Sequence, residues 1–224
     1  MCGRFLLTSP LEAVRAAFDL GPVASNLAPR YNIAPTQEVA VVRTGTGGGR
    51  ALAFLRWGLV PSWMKEIPKG RPMINARAET VAERPAFRAA FRARRCLVPA
   101  DGWYEWRKET AGGKQPYLIR LREAAARPFA FAGIWERWQP PEGGPEIGSV
   151  AILTRPAWPA LAALHDRMPL VLAREGYARW LTGSPPAPVE LAQPPGEAFE
   201  FYPVSGRVNR VAVDAPELAR PLVS

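Results

Sequence analysis

The chain has 224 residues, of which 48% are hydrophobic, so it can bury one sizeable core and we expect a single domain over residues 1–224. No apolar run nears the ~20 residues that span a bilayer, the first ten residues do not form a secretory signal, and two cysteines with one histidine are too few for a disulfide scaffold or a structural zinc site. We therefore expect a cytoplasmic protein without a cofactor, and its formal net charge of +9 favours a polyanionic partner, with nucleic acid first.

The first elements along the chain are a strand at 3–8 and a well-marked helix. Ser9 is a fitting N-cap, Pro10 stands at the first helical position, Glu12 completes a capping box and Gly21 closes the end. A proline-broken loop follows at 26–37, and then two strands at 39–43 and 51–57 joined by a glycine-rich hairpin.

The second half of the chain is rich in predicted strands. Residues 57–80 show no clean period, and a loop of that length in a compact domain is usually functional. Residues 86–95, AFRAAFRARR, predict a basic amphipathic helix, and short helices are expected within 157–169 and at 175–183. Further strands are expected at 96–108 (with a turn inside), 116–122, 129–135, 149–155, 170–173 and 199–205. Consecutive strands with few helices indicate an α+β fold, with a mixed, mainly antiparallel, barrel-like core and flanking helices.

Cys2 is the first candidate for chemistry. If Met1 is removed, Cys2 carries a free thiol and a free α-amine, with ordinary pKa values of about 8.5 and about 7.7–8.0. The amine can condense with an aldehyde to an imine, and the thiolate can then close a five-membered thiazolidine. Alternatively, the thiolate attacks an amide carbonyl, as in N-terminal-nucleophile hydrolases. A cysteine without a role at this position is the third interpretation.

Other residues are suited to contact a nucleic acid. Arg77 lies two positions after Asn75, on the same side of an extended segment, which suits a site that orients a polar group beside a phosphate. A turn asparagine and a solvated arginine are the alternative. Trp57, Trp63 and Trp103 are possible faces on which bases can stack.

Two further side chains are candidates for proton transfer. Glu105 shares a strand face with Trp103, and a carboxylate beside aromatic rings has its pKa raised by desolvation. His165, the one histidine, lies with Asp166 and Arg167 where a short helix runs into a loop. An edge-strand glutamate and a structural histidine are the alternatives.

Taken together, these stretches resemble the SRAP family (SOS response-associated peptidase domain, the abasic site processing proteins). The ordered set spans most of the chain and is specific, although each motif is weak alone. The matching stretches are MCGRF at 1–5, RYNIAP at 30–35, WGLVPSW at 57–63, INARAET at 74–80, CLVPADGWYEW at 96–106 and HDRMPLVL at 165–172.

The resemblance implies a protein of the DNA damage (SOS) response, associated with the nucleoid when bound to damaged DNA. It implies a monomer that binds single-stranded DNA, or a single-strand/double-strand junction, at an abasic site. Cys2, after autoproteolytic, peptidase-like loss of Met1, joins the sugar aldehyde as a thiazolidine in a lyase-like reaction. Asn75 matches the residue that holds the amine and sugar, Glu105 the acid/base near the imine, and His165 the residue that helps to open the sugar ring.

The resemblance also assigns residues to DNA contacts. It places phosphates at Arg4, Arg77 and Arg167, and the wedge and stack at the lesion at Pro35 and Trp63. The chain departs from the family at Met64, where some members have a second aromatic residue, and this departure concerns base stacking and not the chemistry.

Two other functions remain open on the sequence. Glutamine amidotransferase domains also begin Met-Cys-Gly, so an N-terminal-nucleophile amidohydrolase or peptidase using Cys2 is one alternative. That function needs a glutamine pocket and gives no reason for the net positive charge. A passive basic nucleic-acid-binding protein is the other, and it gives no reason for Cys2 beside Asn75, Glu105 and His165.

Overall fold

The structure is a computed structural model that describes residues 2–67, 69–110 and 112–222. These residues form short strands and helices, together with several 3₁₀ turns. The strands are β1 (Phe5–Leu7), β2 (Arg30–Ile33), β3 (Glu38–Thr44), β4 (Arg50–Trp57), β5 (Asn75–Arg77), β6 (Arg95–Ala100), β7 (Gly102–Lys108), β8 (Lys114–Leu121), β9 (Phe129–Trp138), β10 (Ile147–Pro156), β11 (Arg167–Pro169), β12 (Val171–Leu172) and β13 (Phe199–Pro203). The helices are α1 (Leu11–Phe18), α2 (Arg88–Ala93), α3 (Pro159–Ala162) and α4 (Gly176–Leu181).

The strands form two sheets. The first is antiparallel, in the order β13-β8-β7-β1-β2. The second runs β11-β10-β4-β3-β6-β9-β12, and an additional pairing of β9 with β10 closes five of these strands into a ring. β10 also pairs in parallel with β4 and with β5. The expected α+β class, with a mixed, mainly antiparallel, barrel-like core, is confirmed.

The two sheets share one hydrophobic core. The Phe5 ring, from the first sheet, packs edge-on against Trp57 and Phe131 of the second, with centroids 5.1 and 5.8 Å apart. Trp57 and Trp103 are completely buried, so the prediction that they offer faces to bases is wrong. Their rings fill the core, because burying such large apolar side chains stabilises the folded protein. Across the described part of the chain, no helix has the length and apolarity needed to cross a membrane.

The first helix begins and ends differently from the prediction. Pro10 occupies the N-cap position, and the Ser9 hydroxyl donates to the Asp101 carboxylate (2.6 Å) instead of capping the helix. Asp19, with φ 53°, ends the helix two residues before Gly21. A tertiary partner for Ser9, which the local sequence does not show, replaces the capping box.

Three predicted irregular segments contain short strands, and one predicted helix is shorter than expected. β2, β5 and β11 lie within segments that were expected to form loops. β2 and β5 are held by pairing with the distant strands β1 and β10, and β11 pairs with the preceding strand, β10. The basic helix stops at Ala93 because Arg95 already begins β6. Pairing between distant segments therefore overrides the local pattern.

Candidate active site

Cys2 and Glu105 come together through the pairing of β1 with β7. Phe5 lies opposite Trp103, and the Tyr104 N–H donates to the carbonyl of Arg4 (2.9 Å). This antiparallel register carries the chain back from β1 so that Cys2 lies near Glu105. Both side chains are buried, at 0% and 3% exposure.

Asn75 reaches the same place from the second sheet. It is the first residue of β5, which lies parallel to β10 with Asn75 opposite Ile152. Its Nδ2 donates a hydrogen bond to the carbonyl of Cys2 (2.8 Å). Its buried Oδ1 accepts no hydrogen bond from the residues that the structure describes. Asn75 thus links the start of the chain to the barrel, and its Oδ1 is available to accept a further hydrogen bond.

Burial controls the protonation of this cluster. Desolvation raises the pKa of Glu105 to about 7, which confirms the expectation for a carboxyl beside aromatic rings. Desolvation, and then the negative charge of Glu105, raise the pKa of the Cys2 thiol well above its ordinary value. A neutral thiol therefore lies beside a carboxyl that gains and loses its proton near neutral pH, as general acid/base chemistry requires.

His165 lies between α3 and β11, with its Nδ1 between two possible partners. This atom is 2.9 Å from the backbone nitrogen of Arg167 and 2.7 Å from Oδ1 of Asp166. Neutral Nδ1 accepts the Arg167 N–H, whereas a protonated imidazole donates to the carboxylate. Desolvation lowers the pKa of His165, and the Asp166 side chain is 85% exposed, so the neutral form with the proton on Nε2 is favoured.

Arg4 and Arg167, two of the predicted phosphate contacts, use their guanidinium groups within the protein. Arg167 binds both carboxylate oxygens of Glu79 (2.6 and 2.9 Å) and the carbonyl of Thr154 (2.7 Å). The Arg4 Nη1 donates to Asn32 and to the carbonyl of Val208. Both arginines therefore hold the tertiary structure around the site.

Arg77, the third predicted phosphate contact, is exposed beside Asn75. It opens into a cleft of about 380 Å³, called the Asn75 cleft below. The cleft is lined by Asn75, Arg77, Thr80, Arg84, Phe87 and Thr154. Two arginines and an aromatic ring in one cleft suit a phosphate with its attached sugar or base.

Trp63 and Pro35 lie on surface loops. Trp63 is 66% exposed, and its loop is anchored because the Trp138 indole donates to the carbonyl of Met64 (2.7 Å). Pro35 is half-buried, and Thr36 after it has φ 73° and donates its N–H to the carbonyl of Trp57 (2.8 Å). An exposed indole on an anchored loop can stack on a base.

Sequence reasoning missed four residues that shape the site. Glu79 lies inside the INARAET stretch, but its partner Arg167 is 88 residues away, so only the fold shows this pair. Thr154 comes from β10, and Arg84 and Phe87 come from the turns before α2; only the fold brings them to Asn75. Nothing in their local sequence marks them.

The chain is similar to proteins of a known family. The profile of the family described as SOS response associated peptidase (SRAP) matches residues 1–211. The abasic site processing protein YoqW of Bacillus subtilis is 38% identical, over 97% of this chain and 98% of its own length. The abasic site processing protein HMCES of Gallus gallus is 32% identical, over 87% of this chain and 66% of its own length.

Solved structures share the fold. A protein from Bacteroides thetaiotaomicron superposes with a TM-score of 0.83 at 24% identity, over 99% of this chain and all of that one. A phage-related protein from Bordetella bronchiseptica has a TM-score of 0.70 at 32% identity, over 91% of this chain and 94% of its own.

Proposed function

From the premise that the chain belongs to the SOS response associated peptidase (SRAP) family, we propose that it captures abasic sites in DNA covalently through Cys2. The proposal is carried by the hydrogen bond from Asn75 to Cys2, beside a Glu105 carboxyl that titrates near neutral pH. The substrate is single-stranded DNA or a single-strand/double-strand junction. The adduct shields the lesion during the SOS response, and we expect one monomeric SRAP domain over residues 1–224.

The chemistry begins with the loss of Met1, which lies outside the described residues. Water cleaves the Met1–Cys2 peptide bond in a peptidase-like step and leaves a free α-amine on Cys2. This amine attacks the aldehyde carbon of the ring-opened deoxyribose, and the resulting carbinolamine loses water to give an imine. The Cys2 sulfur then adds to the imine carbon while its proton passes to the nitrogen, which closes the thiazolidine. Cross-linking releases one water and needs no oxidant or metal.

Each neighbour of Cys2 has a role in these steps. Asn75 holds the Cys2 carbonyl through Nδ2, and its Oδ1 can accept a hydrogen bond from the new amine. Glu105, with a pKa of about 7, takes a proton from the attacking amine and gives one to the departing hydroxyl. His165 helps to open the sugar ring and moves its proton, which the neutral imidazole favours.

The DNA lies across the cleft beside these groups. Arg77 is exposed and contacts a phosphate directly. Arg4 and Arg167 hold the surrounding structure through their hydrogen bonds and add positive potential at the phosphates. Trp63 stacks on a base next to the lesion, and Pro35 wedges the strand open.

An adduct assay tests the proposal. Met1-free protein is mixed with a single-stranded oligonucleotide containing an abasic site, and the products are separated after heating in SDS. Wild-type protein forms a stable shifted band, and Cys2→Ala forms none. Cys2→Ser is the matched control, because it replaces only the sulfur by oxygen, and it should form no thiazolidine band either. A band of equal strength in Cys2→Ala contradicts covalent capture through the thiol.

Two other results would favour the alternatives. Tight binding of abasic DNA by wild-type protein without any adduct would indicate a passive nucleic-acid-binding protein. Ammonia release from glutamine, lost in Cys2→Ala and unaccompanied by adduct formation, would indicate an amidohydrolase.

A further inference from the structure

The basic segment around α2, just before β6, carries an exposed row of arginines that have no role in the proposed chemistry. Residues 84–95 contain five arginines and no acidic residue. The N–H of Arg88 donates to the carbonyl of Arg84 (2.9 Å), so the helical turn begins at Arg84, before α2. Arg88 and Arg92 are four residues apart on one face of α2, Arg84 precedes the helix, and all three are exposed. They are called the arginine ridge below.

The arginine ridge differs from Arg94 and Arg95, whose guanidinium groups are both bound within the protein. Within residues 2–67, 69–110 and 112–222, no carboxylate forms an ion pair with Arg84, Arg88 or Arg92. By contrast, Arg94 pairs with Glu136 (2.7 Å), and buried Arg95 donates to five backbone carbonyls. Like charges one turn apart destabilise a helix. An uncompensated row of this kind is therefore better explained by an anionic ligand than by folding.

The arginine ridge joins two clefts. Arg84, at one end, lines the Asn75 cleft. Arg92, at the other end, lines a cleft of about 430 Å³ together with Arg43, Thr44 and Trp135, called the Trp135 cleft below. A continuous line of cations thus leads away from the candidate active site.

The Trp135 ring holds two guanidinium groups at the Trp135 cleft. The Arg43 guanidinium lies over the Trp135 ring, 4.5 Å from its centroid, and Arg137 lies over the same ring at 5.4 Å. Stacking on an indole fixes the position of a guanidinium while leaving its N–H groups available. Arg95 adds a buried positive charge to the wall of the cleft.

We propose that the arginine ridge and the Trp135 cleft bind phosphates of the DNA strand that flanks the lesion. The strand runs from the Asn75 cleft along α2 to Arg43. From Arg88 to Arg92 the helix rises about 6 Å, which matches about two stacked nucleotides at about 3.4 Å each. Guanidinium groups suit this role because their N–H forks match phosphate oxygens. The inference rests on the proposed function for the position of the lesion, but strand binding itself can be measured without it.

A double variant isolates the distal part of this path. Arg88→Gln/Arg92→Gln removes two charges and keeps Arg84 at the Asn75 cleft. Arg122→Gln/Arg174→Gln is the control, because it removes the same charge at a cavity that shares no lining residue with either cleft. Arg88→Lys/Arg92→Lys retains the charge. The exposed ridge positions repel one another, so the glutamine variant should melt no lower than wild type.

The measurement is the salt dependence of binding to a long, lesion-free, single-stranded oligonucleotide, followed by fluorescence anisotropy. In the ridge variant the slope of log K against log[salt] becomes shallower by about 1.4, because each lost phosphate contact on a single strand removes ~0.7. The control and the lysine variant keep the wild-type slope. Cross-linking of a very short abasic oligonucleotide, which cannot reach Arg88, stays at the wild-type rate in the ridge variant.

A ridge variant with the same slope as Arg122→Gln/Arg174→Gln overturns the inference. A long duplex whose binding depends on the ridge while the single strand's does not also overturns it. If wild-type protein forms no adduct but the ridge variant still loses slope, the covalent function fails and the strand-binding surface stands.

Discussion

Asn75 and Cys2 join the two sheets through one hydrogen bond. The Nδ2 of Asn75, on β5, donates over 2.8 Å to the carbonyl of Cys2, which precedes β1. The backbone of β5 is itself held by its parallel pairing with β10, so the amide has little freedom to move. The position of the Cys2 main chain therefore depends on how the barrel and the first sheet are placed together.

Replacing Asn75 should slow cross-linking more than it weakens DNA binding. Asn75→Ala removes the hydrogen bond to Cys2, and a reacting group displaced by ~1 Å can lose roughly 100-fold in rate. Single-turnover adduct formation at saturating abasic DNA measures this rate. The dissociation constant for lesion-free DNA is the control and should change little. Adduct formation at the wild-type rate would exclude a positioning role for Asn75.

The cross-linking rate should depend on the protonation of Glu105. Because burial raises the pKa of this carboxyl to about 7, the rate–pH profile of wild-type protein should bend near pH 7. Glu105→Gln cannot exchange a proton and should lack this bend while binding DNA normally. Adduct formation measured from pH 5 to 9 in both proteins tests this, and an identical bend in the variant would assign it to another group.

Glu105 should also make stability depend on pH. Its pKa is raised in the folded protein, so folding favours the protonated carboxyl, and stability falls as pH rises from its unfolded pKa through about 7. Wild-type protein should therefore lose up to roughly 3 kcal/mol relative to Glu105→Gln between pH 5 and pH 8. Urea unfolding of both proteins at the two pH values measures the difference. A constant difference would mean that Glu105 does not titrate in this range.

Trp63 should contribute to DNA binding and little to stability. Its side chain is 66% exposed, so Trp63→Ala should change the free energy of unfolding by no more than about 0.5 kcal/mol. Loss of one stacked base should weaken binding by about 1–3 kcal/mol. Anisotropy with single-stranded DNA measures this, and Phe54→Ala, at a residue that is 39% exposed, is the matched control. Equal effects of the two variants would argue against stacking on Trp63.

Arg167 should matter to stability as well as to DNA. Its guanidinium binds both oxygens of Glu79 and the Thr154 carbonyl, so Arg167→Ala removes charge-assisted hydrogen bonds and should cost about 1–3 kcal/mol, while the Thr154 carbonyl keeps the N–H of Ala78 as a donor. Arg167→Lys keeps the charge but not the bidentate contact, so its stability should lie between those of wild type and Arg167→Ala. Thermal unfolding measures both variants. Full stability of Arg167→Ala would leave only a DNA role for this residue.

Part of the fold and one property of the candidate site could be predicted from local sequence. The alternating strands of the hairpin formed by β3 and β4 were predicted within a few residues, because their pattern and glycine-rich turn are contained in one short segment. The raised pKa of Glu105 was also expected, because its aromatic neighbours lie in the same strand. The helix that follows β1 was predicted with the wrong cap, because Ser9 binds Asp101, more than ninety residues away.

The sequence by itself therefore determined which reactive and charged groups the protein has. They are one aminothiol precursor, one imidazole, one carboxyl among aromatic rings and an excess of arginine. Only the tertiary structure decided which of these meet. In the folded protein Asn75 is hydrogen-bonded to Cys2, and Trp57 and Trp103 are buried in the core. Arg4 and Arg167 bind other residues of the protein, whereas Arg77 and the arginine ridge are exposed. The physical reason is that burial and pairing between distant strands are properties of the whole chain, because each depends on segments that no local window contains.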